Sequence, residues 1–426
     1  MSQTIKSISV KGLWDIKDVS VTFNEDVNIL IGGNGTGKTT LLKILEGILN
    51  VDLQNIDDIV FNDVQIELQT EGSEENSIIR VERVLEDAVT AVYRYDLGDE
   101  IVDIRLSDIR LFNRSRTPSK TLYRHLKSRL DKVVNLTWLS VNRANDSMDR
   151  RMNDELHDDV DAKLWQLMNQ IVSYRLQLER KVNERTRKFN EDIVSLLLYN
   201  QAYDSLPTFE QIQKIKSYSR EDLITELHKV FSYFGEPRLH TDEIKNHAEK
   251  ITYVVEKLDS RDGHFTAEEM LSLSLMSRTL AILSLSSDYQ KQRADIMEPI
   301  RTYVEKVGQY LKDKELEFDP STGELITILK YGKDKKRKLS IYSLSSGERQ
   351  LLILLTETLL QQKRPFVYIA DEPELSLHIE WQRNLINSIR ELNPNAQIIF
   401  ATHAPEIAAN HPKKLINLTS VTKYVE

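Results

Sequence analysis

From Ile5 to Phe23 apolar and polar residues alternate, with one break at Gly12. A period of two predicts strand, turn and strand. Val27 to Ile31 is a short apolar run, the pattern of a buried parallel strand. A glycine-rich loop follows, then an apolar stretch with helical spacing, TTLLKILEGIL. Between 58 and 106 the runs IVFNDVQIELQ, IIRVERVL and TAVYRYDL alternate again and predict an antiparallel sheet. Residues 107–151 are mixed, with a strand-like TWLSVNR around Trp138 to Arg143.

From about Asp149 to Lys314 glycine and proline become scarce and the period moves toward 3.6. Leu164, Met168, Ile171, Arg175, Leu178, Val182, Arg185 and Phe189 follow a 4-3-4-3 spacing. Two of these positions are arginine, so the seam is imperfect, and the pattern suits either a long core-packed helix or a short helical arm. LPTFEQIQKI, REDLITELHKVFSYFG and FTAEEMLSLSLMSRTLAIL continue the helical block. Residues 315–343 return to strands, with turns at 320–323 (PSTG) and 332–335 (GKDK). The segment 344–426 reads helix, strand, helix, strand. The chain therefore divides into 1–148, 149–314 and 315–426, an α/β protein carrying a helical insertion.

The 426 residues are 40% hydrophobic and 29% charged, ordinary globular material that can bury a large core. The absence of cysteine excludes a disulfide framework, a cysteine nucleophile, an iron–sulfur cluster, a thiolate zinc site and a CxxC hook. The start MSQTIKSISV has no basic stretch followed by an apolar core, and no apolar run approaches the roughly 18–20 residues that span a bilayer. A cytoplasmic protein is the expectation. A net charge of −9 argues against a surface that grips nucleic acid all round. Two patches run the other way. Arg105 to Arg151 holds twelve Lys/Arg against four Asp/Glu, and 330–338 reads KYGKDKKRK.

Gly32-Gly33-Asn34-Gly35-Thr36-Gly37-Lys38-Thr39 fits GxxxxGK[ST] between a predicted strand and a predicted helix. Glycines at 32, 35 and 37 let the backbone, with Asn34, curl its N–H groups toward one phosphate chain. The helix N-terminus at Lys38, Thr39 and Thr40 adds a field favourable to anions. Lys38 reaches the β- and γ-phosphates in this motif, and the Thr39 hydroxyl ligates Mg²⁺. Further on, the apolar run Phe366 to Ala370 ends in Asp371-Glu372-Pro373-Glu374. A carboxylate at such a strand end, Asp371, can hold magnesium through water. Glu372 stands where a general base would polarise an attacking water. Ile398 to Ala401 is another short strand, and His403 just beyond it is placed to donate to a γ-phosphate. Leu344-Ser345-Ser346-Gly347-Glu348 opens a helix with exposed donors for an anion, while Ser345 with Glu348 also makes a capping box. Both roles can hold together.

Taken in order, these four motifs resemble an ABC-type ATPase head, a P-loop fold with a mixed sheet and an antiparallel subdomain. LSSGE is similar to the ABC signature, DEPELSLH to the Walker B and D-loop, and ATHAPEI to the switch-histidine region. DEPELSLH with ATHAPE is similar to the OLD-like and SMC-like branch. Transporter ATPases usually read LSGGQ, closer to the phosphate lysine, whereas Lys38 and Ser345 are 307 residues apart. The resemblance covers about 1–145 and 315–415.

It implies ATP and Mg²⁺ as cofactors and a homo-oligomer, at least a dimer, with nucleotide sandwiched between subunits. Ser345, Ser346, Gly347 and Glu348 would then face the phosphate loop of another copy, as would Ser376 and His378 of the D-loop. No glutamine stands at the expected Q-loop strand end, where Val141-Asn142-Arg143 takes its place. Trp14 either stacks on adenine or packs in the core. OLD-family nucleases carry a TOPRIM domain after the switch histidine, and only 23 residues follow His403. No HNH motif is present either, so an effector in another chain is expected. Stand-alone heads of this style resemble the ATPase subunit of the PARIS anti-phage system, paired with a TOPRIM-like effector and answering to a phage-encoded trigger. The Septu ATPase, paired with an HNH nuclease, is the runner-up. The alternative is an SMC-like DNA-repair or chromosome ATPase that clamps DNA through the basic stretch and the arm.

Overall fold

The structure, a computed structural model, describes residues 3–70, 76–85, 91–106, 118–139, 159–198, 206–234, 240–259, 264–331, 335–375 and 377–424. Strand β1 (Gln3–Leu13) turns at Trp14 and Asp15, both at positive φ, into β2 (Lys17–Thr22). β3 (Val27–Ile31) leads through the glycine loop to helix α1 (Lys38–Leu49). The alternating runs become β4 (Asp63–Thr70), β5 (Asn76–Leu85), β6 (Ala91–Asp96) and β7 (Ile101–Arg105). Helix α2 (Pro118–Val133) and β8 (Leu136–Leu139) follow.

The helical block holds α3 (Asp159–Ser195), α4 (Phe209–Lys216), α5 (Arg220–Ser232), α6 (Thr241–Asp259) and α7 (Ala267–Gly308). A hairpin sheet of β9 (Lys314–Phe318), β10 (Leu325–Tyr331) and β11 (Lys335–Leu339) comes next. The chain then makes α8 (Ser346–Leu360), β12 (Phe366–Asp371), α9 (Ile379–Leu392), β13 (Ala396–Ala401), α10 (Pro405–Ala409), β14 (Leu415–Asn417) and β15 (Thr422–Tyr424).

The expected mixed sheet resolves into two sheets, each of one sense. Five strands in the order β14-β3-β13-β12-β8 pair in parallel throughout. Seven strands in the order β15-β2-β1-β4-β5-β6-β7 pair antiparallel. β12 and β13 are continuous apolar runs because both faces of a parallel sheet are covered.

Helix α1 joins the two sheets. Leu41, Leu42, Leu45, Ile48 and Leu49 share one buried cluster with Ile8, Val10 and Ile66 of the antiparallel sheet and with Val367, Ile369 and Ile399 of the parallel one. Each such leucine contributes roughly 1.5–3 kcal/mol on burial. Gly47 lets the 52–56 segment pack close against α1, since a Cβ there would lie 2.7 Å from Ile56 Cγ2 and 3.1 Å from the Asp52 carbonyl. Gln397 on β13 locks the sheets edgewise. Its amide accepts from Ile5 N at 2.8 Å and donates to Ile5 O at 2.7 Å and Asn24 O at 2.9 Å.

Contacts divide the chain into two compact units, Met1–Val172 with Thr302–Glu426, and Ser173–Arg301. These boundaries fall inside α3 and α7, so the second unit is shorter than the insertion expected over 149–314. The first turns of α3 belong with the sheets: Asp161 pairs Arg349, and Lys163 pairs the buried Glu357 at 2.8 Å. The end of α7 does too, with Tyr303 Oη bonded to Thr356 Oγ1 at 2.7 Å.

The second unit has its own core. Leu223 and Leu227 of α5, Ile244, Ala248 and Ile251 of α6, and Met276, Leu280 and Leu283 of α7 face one another at three- and four-residue spacing. Phe189 of α3 stacks on Tyr289 at 4.9 Å. Of the seam positions, Leu164, Met168, Ile171, Leu178 and Phe189 are buried and Arg185 is exposed. One expectation is corrected here. α7 contains an 18-residue window of mean hydropathy 1.3, long and apolar enough to cross a membrane by length and composition, with 44% of it buried. Serines interleaved with the leucines concealed that run from a search for unbroken apolar sequence.

Candidate functional site

The parallel register brings the motif-bearing strand ends together. Leu30 of β3 lies opposite Ala401 of β13, and Ala401 lies opposite Asp371 of β12. The phosphate loop, Asp371–Glu372 and Thr402–His403 therefore leave the sheet side by side, at the carboxyl ends of parallel strands.

Glycine conformation shapes the loop. Gly32, Gly35 and Gly37 have φ of 154°, 78° and 100°, the region glycine enters without a Cβ penalty. A Cβ on Gly35 would meet nothing within 4 Å, so the loop borders open space there. α1 starts at Lys38 with no side-chain cap, which leaves its first N–H groups for an anion. Thr36 N–H and hydroxyl both bond the Gly33 carbonyl, at 3.4 and 2.9 Å, and hold the turn.

Lys38 is buried and its ammonium folds back on the loop. It donates to Gly32 O at 2.8 Å, to Gly33 O at 3.3 Å and to His403 Nε2 at 2.9 Å. An ammonium has no acceptor, so Nε2 of His403 accepts, and the neutral ring carries its proton on Nδ1. Burial holds Lys38 below the ordinary lysine value, against the carboxylates of Asp371 and Glu372, which favour its charge. Glu372 sits at φ 50°, a left-handed conformation costly for a residue with a side chain, and its N–H bonds the Ala401 carbonyl at 2.8 Å.

The donor set suits a hard cation. Thr39 is exposed beside Lys38, and Asp371 ends β12 half-buried. Among the described residues no group of three or more His, Asp or Glu side chains could hold a metal. Magnesium in such a site would rest on Thr39, Asp371, water and nucleotide oxygens, as its preference for retained waters dictates.

The signature segment lies elsewhere in the chain. Ser345 accepts from Glu348 N at 3.3 Å, and the Glu348 carboxylate takes Ser345 N at 2.8 Å and Ser345 Oγ at 2.9 Å, a complete capping box. Glu348 is buried and also pairs with Lys314 at 2.6 Å. Burial works to raise its carboxyl, and the bonds from Lys314 and Ser345 outweigh that and hold it below the ordinary range. Its carboxylate is thus occupied within its own helix start, while Ser345 and Ser346 are exposed. Among the described residues no hydrogen bond or ion pair joins 344–348 to 32–40. His378 begins α9 without a side-chain cap. Ser376 and Val141-Asn142-Arg143 lie outside the described residues.

Two residues escaped the sequence reading. Glu374 is buried, and its Oε1 accepts from the Thr402 hydroxyl and from His403 N and Ala404 N, both at 3.1 Å. It clamps the histidine loop from below. The run of acids at 371, 372 and 374 was its only signal. The other is Lys17, which donates to Thr36 O at 2.9 Å and stands 4.2 Å above the Trp14 ring. Lys17 shares the inward face of β2 with Val19 and Val21, so strict alternation marked it as a charge pointing inward. Trp14 packs partly against the core and would lie 3.4 Å from a Cβ on Gly37.

Comparison with known proteins follows this geometry. The model of the AAA ATPase domain family matches residues 4–408. The retron Vc95 probable ATPase of Vibrio cholerae serotype O1 biovar El Tor is 20% identical over 444 residues, 97% of this chain and 73% of that protein. The retron Ec83 probable ATPase of Escherichia coli is 34% identical over 80 residues, 16% of this chain and 15% of that protein. Among solved structures, the Smc head domain with an extended coiled coil bound to the C-terminal domain of ScpA, from Pyrococcus furiosus, is 13% identical. It covers 99% of this chain and 96% of that one at a TM-score of 0.40. The Smc head domain with a coiled coil and joint from Pyrococcus yayanosii is 15% identical over 100% and 97%, also at 0.40.

Proposed function

The chain belongs to the AAA ATPase domain family and is an ATPase, and from that premise we propose that it hydrolyses ATP with magnesium at the meeting of β3, β12 and β13. It closes that site with a second copy of itself and so controls a separate effector protein. The observation that carries the site is the convergence of Lys38, Asp371, Glu372 and His403 at adjacent ends of parallel strands. Gly32, Asn34, Gly35, Gly37, Thr39 and Thr40 would cradle the phosphates, and Thr39 and Asp371 the magnesium. ATP brings the anhydride, and magnesium offsets its charge. Glu372 takes a proton from the attacking water, and His403 with Lys38 holds charge on the terminal phosphate.

Oligomerisation is supported by the signature. Ser345 and Ser346 are exposed at a helix start and unconnected to the loop of their own chain, so an anion reaching them from another copy would complete the site. Two relatives are named as probable ATPases of retrons. We carry that over as a partner effector, a TOPRIM-like or HNH nuclease in anti-phage defence. The finer placement is beside the PARIS ATPase subunit, with Septu next and a phage-encoded trigger as the input. The test is mass measurement in solution. Glu372→Gln with ATP and magnesium is expected to double in mass, and the parent with ADP to stay single. A protein that keeps one mass in every nucleotide state refutes the closure, and failure to copurify with any neighbouring gene product refutes the effector.

A second reading has its own support. β11 exposes Lys335, Lys336, Arg337 and Lys338 in a row at the edge of its sheet, with Lys338 paired to Asp319. DNA clamping predicts duplex affinity that rises with ATP and falls steeply with salt.

A further inference from the structure

Two lysines are buried among the described residues, Lys17 and Lys38, and both ammonium groups turn to the phosphate loop. Lys38 holds the carbonyls of Gly32 and Gly33 and feels the charges of Asp371 and Glu372. Lys17 holds the carbonyl of Thr36 and would lie 3.6 Å from a Cβ on Gly37. It is 4% exposed and, among the described residues, forms no ion pair. Burial alone holds it below the ordinary lysine value, with no carboxylate opposing the shift. A buried cation without a counter-charge is costly, and a ring face compensates only part of that. One N–H reaches Thr36 and another side faces Trp14, so the ammonium retains donor capacity beside an anion-binding loop.

We propose that Lys17 is a second phosphate-binding cation, carried at the start of β2, whose missing counter-charge is the polyphosphate of the nucleotide. Trp14 is then the platform that aims Lys17, and the ring face it offers to that cation is not free for adenine. The two lysines grip the loop from its two ends and bring their charge to one ligand. The inference rests on the nucleotide reading above, and its test separates the two.

Calorimetry with ATP, ADP and inorganic pyrophosphate is run on the parent, Lys38→Ala, Lys17→Gln and Lys17→Arg. Glutamine keeps a donor for Thr36 and loses the charge, whereas arginine keeps the charge. Lys17→Gln is expected to weaken ATP and pyrophosphate by about tenfold or more, the loss of one charge-assisted contact, and Lys17→Arg to stay within about threefold of the parent. The salt dependence of binding should shrink in Lys17→Gln. Equal affinities in parent and Lys17→Gln overturn the proposal, as does an equal loss in Lys17→Gln and Lys17→Arg. A parent that binds no nucleotide refutes the nucleotide reading itself. As a check free of folding effects, lysine 13Cε labelling of the parent should show the Lys17 resonance moving on addition of pyrophosphate. A Lys17 signal unmoved while pyrophosphate binds overturns the proposal too.

Discussion

The ammonium of Lys38 donates to Nε2 of His403 across 2.9 Å, so the phosphate loop and the histidine loop meet directly. In this arrangement His403 is an acceptor. To donate to a phosphate oxygen, the ring must carry a proton on Nε2, by changing tautomer or gaining a proton. A γ-phosphate bound as proposed would replace this lysine–histidine contact with two donors aimed at one anion. We expect His403→Ala to lower the hydrolysis rate by about a hundredfold or more while ATP affinity changes by less than about threefold. Single-turnover hydrolysis beside calorimetry checks it. An affinity loss as large as the rate loss would make His403 a binding residue only.

Glu374 makes a second prediction. One oxygen accepts three donors of the 402–404 loop, and its other oxygen, Oε2, is buried with no partner. Glu374→Ala strips the buried Thr402 hydroxyl and the part-buried His403 N–H of their acceptor and leaves Ala404 N–H with Thr402 Oγ1 alone, at about 1–3 kcal/mol for each buried group left unsatisfied. Stability in urea and hydrolysis should fall together. Glu374→Gln keeps an acceptor at Oε1 and should fall between alanine and the parent in both assays. If the glutamine and alanine variants hydrolyse ATP alike, the clamp does not position His403.

These two residues show what the sequence could and could not disclose. The apolar runs at Phe366 to Ala370 and Ile398 to Ala401 read as short strands, Val27 to Ile31 as a buried parallel one, and the glycine loop lay between strand and helix as spacing required. Local pattern fixes such elements. It does not fix which strands are neighbours: β3 pairs with β13 and β14, more than 350 residues along the chain. Only that long-range pairing places Glu374 under Thr402 and His403. Lys17 was marked by its inward phase, but a charge facing inward has meaning only once Thr36 and Gly37 are beside it. The signature shows a complementary limit, because its capping box is legible locally and satisfied locally, while the anion role proposed for it would depend on a second copy.

A pH prediction concerns the helical unit. His247 on α6 is half-buried, and its Nε2 lies 2.8 Å from Thr279 Oγ1 on α7. The Thr279 hydroxyl donates to Leu275 O at 3.0 Å, so Nε2 is the donor to the threonine. Burial holds His247 below the ordinary histidine value of about 6.5. The unfolded chain therefore binds a proton at higher pH than the folded one, and stability rises with pH across that window. The contribution is whole above about pH 6.5 and is lost as pH falls toward the folded value. His247→Gln removes it. The parent's melting temperature should drop more than the variant's between pH 7.5 and pH 5.5 (values chosen to bracket about 6.5). His411, also lowered by burial, is common to both proteins and cancels in the difference. Parallel curves would dismiss His247 as the titrating group.

Glu372 carries the sharpest test of the chemistry. Its φ of 50° takes the chain out of β12 at the residue after Asp371, and the bond from Glu372 N to Ala401 O fixes that exit. Gln350 on α8 adds a bond to the Pro373 carbonyl at 3.3 Å, so the backbone is held from two sides. A strained residue kept by its surroundings is expected where its side chain must point at a reacting group. Glutamine has the same size and can adopt the same backbone, but it cannot take a proton from water. Glu372→Gln should therefore melt at the parent's temperature without nucleotide and bind ATP as tightly. Hydrolysis should slow by about a hundredfold or more, leaving the ATP-bound assembly long-lived. Hydrolysis at the parent rate would remove Glu372 as the base and leave the strain at that position without a chemical purpose.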